Sequence, residues 1–81
     1  MEEKTIVITT DDYKKDECGI LILKVFNYDE NLYKALDVGK ERFYTSNHGE
    51  FDFMDEAIRK ELRDRDYDFE VICWNFGLYQ V

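Results

Sequence analysis

The chain has 81 residues, 44 % hydrophobic and 37 % charged, with 11 basic and 19 acidic side chains and a formal net charge of −8. That length makes one domain, residues 1–81, which buries roughly 60 % of its unfolded surface. The acidic balance excludes the basic footprint of a nucleic-acid or anionic-membrane binder. It suits a basic protein partner and equally suits solubility alone. Six Phe, six Tyr and one Trp put some rings at the surface, where they are candidate binding anchors.

Met1 is followed by Glu2, Glu3 and Lys4, and the longest apolar stretch, Ile20–Leu23, is only strand-sized. The expectation is a cytoplasmic protein with no export signal or membrane span, and with Cys18 and Cys73 as reduced thiols.

In chain order, Thr5–Thr9 is β-branched throughout and reads as a strand. Residues 11–17 (DDYKKDE) form a polar connection. Gly19 then opens a second strand, Ile20–Phe26, with Ile20, Ile22 and Phe26 on one face and Leu21, Leu23 and Val25 on the other. A strand apolar on both faces belongs in the middle of a sheet with something packed on each side. Asn27–Asn31 is a turn cluster.

Leu32–Val38 admits two readings. It is either a strand forming a hairpin with the previous one, or a short helix capped by Asp29 and closed by Gly39, with Leu32, Ala35 and Leu36 as its stripe. The strand is preferred. Glu41–Thr45 reads as a further short strand, followed by the loop Ser46-Asn47-His48-Gly49.

The principal helix spans about Asp52–Asp64, where Met54, Ala57, Ile58 and Leu62 recur at helical spacing. Asp52 is its predicted N-cap, and Asp55, Glu56, Arg63 and Arg65 match the helix dipole. Asp55–Arg59, Glu56–Lys60 and Glu61–Arg65 are i, i+4 pairs. Phe69–Phe76 is the last long strand; alternation puts Phe69, Val71 and Cys73 on one face and Ile72, Trp74 and Phe76 on the other. Gly77 breaks it, and Leu78–Val81 reads as a short final strand. The predicted class is therefore α+β, a small mixed or antiparallel sheet of four or five strands with one principal helix. One helix covers one face. The other needs a second element, a twin subunit or a partner.

Catalytic constellations are missing from this pattern. His48 is the only histidine, no C-x-x-C occurs, and the glycines stand apart from any phosphate loop or nucleophile elbow. Asp64, Asp66 and Asp68 lack the glycine and terminal glutamate of a calcium loop. The chain is expected to be no enzyme and to hold no cofactor or metal.

Four short segments carry a resemblance. They are Lys4-Thr5, Asp16-Glu17-Cys18-Gly19 leading into an aliphatic strand, Glu30-Asn31 in the turn after it, and Cys73-Trp74-Asn75-Phe76. In this order, and in a chain of similar length, they resemble the small anti-CRISPR family that inhibits type II-C Cas9 by binding its HNH nuclease domain. The resemblance covers the two ends of the chain and not 37–68. It implies a small mixed sheet with helices, set as a plug over a nuclease active site and leaving target-DNA binding possible. It also implies that Cys73 contacts the catalytic groups. The serine that precedes this cysteine in the family is Ile72 here, which cannot donate a hydrogen bond.

The function expected is thus a phage- or mobile-element-derived inhibitor, acting in the host cytoplasm, that binds a basic nuclease such as Cas9. Cys73, Trp74, Phe76 and Ile72 would make the contact, with Asp16, Glu17 and Glu30 among the acids that steer the encounter. No direct nucleic-acid or membrane contact is expected. The alternatives are a DNA mimic or immunity-type inhibitor of another nucleic-acid enzyme, and a non-enzymatic structural or regulatory subunit, possibly a homodimer.

Overall fold

Three antiparallel strands form one sheet in the order β1-β2-β3, and two helices lie on one side of it. A computed structural model describes residues 2–12, 17–46 and 49–78. Asp16, His48 and the expected strand beyond Leu78 lie outside these residues, as do the side chains of Glu17, Cys18 and Phe76. The elements are β1 (Glu2–Asp12), β2 (Glu17–Tyr28), α1 (Leu32–Thr45), α2 (Met54–Asp64) and β3 (Phe69–Leu78). The expected central strand is central, and β1 and β2 both extend into the acidic ends of the predicted polar connection.

Two expectations are corrected. The sheet has three strands among the described residues, not four or five, and a second helix stands where two strands were expected. Helix α1 runs through both Leu32–Val38 and Glu41–Thr45. Its buried residues are Leu32, Ala35, Leu36, Gly39 and Phe43, an i, i+3, i+4, i+7, i+11 series that follows the helical period. Gly39 does not end this helix; it lets α1 press against α2. A Cβ at Gly39 would lie 2.9 Å from the Ile58 Cα and 3.3 Å from its Cγ1.

One side of the sheet supplies Ile6, Ile8, Leu21, Leu23 and Val25 to the core. The helices answer with the α1 residues above and with Met54, Ala57, Ile58 and Leu62. The expected stripe of α2 is therefore borne out, although Phe53, not Asp52, occupies the N-cap position. Glu56 reaches back instead, its Oε2 accepting from the Asp52 N–H at 3.1 Å. That leaves Lys60 to pair with Asp64 at 3.5 Å. Asp55–Arg59 (3.1 Å) and Glu61–Arg65 (3.0 Å) pair as expected. Arg42 of α1 also reaches Glu61 at 3.0 Å, tying the helices together along their charged side.

A second tie joins the end of β2 and the turn before α1 to the turn after α2. Asn27 donates from Nδ2 to the Asp66 carbonyl (3.0 Å) and accepts from the Asp68 N–H at 2.7 Å. The buried Tyr67 hydroxyl donates to the Asp29 carboxylate, which also accepts from the Asn31 N–H at 2.9 Å. Burial and the neighbouring carboxylate push the Tyr67 hydroxyl up to about 12, so this contact keeps its proton throughout the neutral range. Asp66 adopts φ +61°, a left-handed conformation that aspartate tolerates better than most residues.

Candidate protein-binding face

The second side of the sheet has no described element over it. Residues opposite one another in neighbouring strands share a face, so register gives the rows directly. They are Thr5–Lys24–Glu70, Val7–Ile22–Cys73 and Thr9–Ile20–Asn75. Val7 is 59 % exposed, and Ile22 and Cys73 are half-buried by their neighbours alone. At one end the face turns charged, where Lys24 pairs with Glu3 at 3.4 Å and lies 5.4 Å from the Phe26 ring centroid.

A register irregularity in β3 decides which of its residues belong here. Ile22 pairs with Cys73 but Leu23 pairs with Val71, leaving Ile72 as an extra residue in β3. A bulge of this kind changes the alternation on either side of it. Trp74 consequently stands opposite Leu21, on the helix side, and not with Ile72 as strict alternation requires. Its ring meets Phe53 edge-on, with centroids 5.6 Å apart and planes at 76°, and its indole bonds the Asp55 carboxylate. Trp74 is still 47 % exposed, and Ile72 is 55 % exposed.

Asp55 beneath Trp74 is almost wholly buried. Its Oδ1 and the Arg59 Nε have no hydrogen-bond partner among the described residues. Burial raises the Asp55 carboxyl above the usual range, and Arg59 opposes that shift. This cluster supports the lip of the sheet where α2 begins.

The residues expected to bind are thus not one site. Ile72 and Cys73 join on the open face, and they are joined by Val7 and Ile22, which were not among them. The signal for Val7 was present in the β1 alternation, with Ile6 and Ile8 on one side and Thr5, Val7 and Thr9 on the other. Trp74 goes to the helix side. Glu17 opens β2 and Glu30 lies in the turn beyond its other end, so the length of the strand, roughly 36 Å at 3.3 Å per residue, runs between them. Exposed Glu30 lies instead beside Asp29, at the end where the Tyr67 and Asn27 contacts gather Asp29, Asp66 and Asp68. Glu2 pairs with Tyr28 there, and Lys4 lies over the Tyr28 and Tyr33 rings.

No group of three or more His, Cys, Asp or Glu side chains able to hold a metal occurs among the described residues. No helix among them is long and apolar enough to cross a membrane. No protein-family model matches the chain, and neither does any curated protein or solved structure.

Proposed function

We propose that the chain is a non-enzymatic inhibitor that lays the open face of its sheet on a basic nuclease and blocks the active site. The observation that carries this reading is the uncovered apolar row Val7–Ile22–Cys73 with Ile72 beside it. Exposed apolar groups clustered on an otherwise charged small protein are the usual mark of a protein contact. The acidic end supplies complementarity to a basic rim and speeds the encounter.

The resemblance supports a specific target, the HNH domain of type II-C Cas9. Cys73, the position it assigns to the contact, is on the open face, and Ile72 takes the neighbouring serine's place with an apolar contact. Phage origin and action in the host cytoplasm belong to the same proposal.

The test is a cleavage assay with a purified type II-C Cas9, its guide and a matched DNA target. Stoichiometric protein is expected to stop cleavage while the DNA remains bound. Its association rate with the isolated HNH domain is expected to fall as salt rises, with dissociation little changed. Full cleavage at saturating protein, with no binding to the HNH domain, would rule out this target.

A further inference from the structure

The outer edge of β1 points to a second copy of this chain. β1 is an edge strand, and among the described residues nothing pairs with its outer side. Its register against β2 is unbroken from Lys4 to Asp12, so alternate backbone N–H and C=O groups face outward along a regular strand. The other edge, β3, is interrupted by the bulge at Ile72. β1 carries no such protection between Thr5 and Thr9: no proline, no charge and no bulge, the devices that ordinarily keep an edge unpaired.

The sequence of that segment is Thr5-Ile6-Val7-Ile8-Thr9, which reads identically in both directions. An antiparallel pair of identical strands related by a two-fold axis places residues so that their numbers have a constant sum. Centred on Val7, the pairing sets Val7 against its own mate, Ile6 against Ile8 and Thr5 against Thr9. Every position meets matching chemistry. Ile6 and Ile8 stay on the core side, where both are buried, and the threonines and exposed Val7 stay on the open side. Register is therefore satisfied on both faces at once, the condition that fixes strand pairing.

We infer that two copies associate edge to edge through β1, joining two three-stranded sheets into one of six strands. The open faces become continuous across the axis, and the Ile72–Cys73 positions lie on the two far edges. Each chain carries a net charge of −8. Association is therefore weakened by electrostatic repulsion and strengthens as salt screens it. This is the opposite salt dependence to that expected with a basic partner, so the two proposals stand or fall separately.

Sedimentation of the full chain alone, over a range of concentrations at low and high salt, tests the inference. The mass is expected to rise from monomer toward dimer with concentration, and more so at high salt. Val7→Lys puts two like charges against each other at the axis and is expected to weaken association by about a hundredfold or more. Val7→Thr is expected to preserve it. A monomer under every condition, or a dimer that Val7→Lys leaves intact, overturns the proposal. Should Val7→Lys fail to fold, amide exchange in the unaltered chain decides: protection of Thr5–Thr9 must grow with concentration.

Discussion

Arg59→Met is expected to cost about 3 kcal/mol of stability at neutral pH, whereas Asp55→Asn costs less than about 1 kcal/mol. The two residues form one ion pair, at 3.1 Å, but their surroundings differ: the Asp55 side chain is 2 % exposed and that of Arg59 36 %. Removing Arg59 leaves a buried carboxylate with the Trp74 indole as its side-chain donor. Removing the Asp55 charge leaves a guanidinium that water can reach. The acid dependence follows from the same burial. Asp55 has a folded-state pKa raised above its unfolded value, so the folded protein takes up this proton first. The cost of the ionised form is therefore present above the folded pKa and disappears as pH falls through it. The Arg59→Met deficit is accordingly largest at neutral pH and shrinks on mild acidification. Denaturant unfolding of both variants at neutral and mildly acidic pH checks this. Equal losses for the two substitutions would contradict the asymmetry.

Leu23→Ala is expected to cost about 3–4 kcal/mol, while Ile22→Ala, one residue away, costs about 1 kcal/mol or less. Leu23 is fully buried beneath the helices, and its loss leaves a cavity in the packed core. Ile22 faces the open side, where water takes the vacated space. At this chain length each kcal/mol lowers the melting temperature by about 4–8 °C, so thermal melts separate the two variants. Comparable losses would mean that both faces of β2 are covered.

The two faces of β2 were legible as sets, because period-two alternation separates Ile20, Ile22 and Phe26 from Leu21, Leu23 and Val25. Both sets are apolar, however, and cover was expected on each; only the second is buried beneath the helices. Helix α2 was legible for the corresponding reason, its apolar residues following a 3.6-residue period with compensating charges. Helix α1 was half legible. Leu32, Ala35 and Leu36 form a helical stripe, but Gly39 reads as a stop when no neighbour is known. Its role is a close approach to Ile58, a tertiary contact that local propensity does not encode. Had Gly39 been taken as an interior position, Phe43 would have continued the stripe.

The candidate face was obscured by the bulge at Ile72. Strict alternation groups Ile72 with Trp74 and opposes both to Cys73, whereas the register puts Ile72 and Cys73 opposite Ile22 and returns Trp74 to the helix side. A bulge depends on how two strands meet, and β3 alone carries no mark of it. Glu17 and Glu30 were grouped by chemistry and are separated by the length of β2. The acidic end that Glu30 does join is gathered by Tyr67 and Asn27, contacts across 38 and 41 residues that no local pattern reveals.

The central claim is that the open face of the sheet, and not the helices, meets the partner. Its most direct test is the affinity of Ile72→Glu for the HNH domain of a type II-C Cas9, measured beside the melting temperature of the same variant. Ile72 is 55 % exposed, so a charge there is expected to leave melting within a few degrees of the unaltered chain. Burying that charge against an apolar contact is expected to weaken binding by at least about thirtyfold, equivalent to 2 kcal/mol. Undiminished affinity in a normally melting Ile72→Glu variant would contradict the account and move the contact off this face.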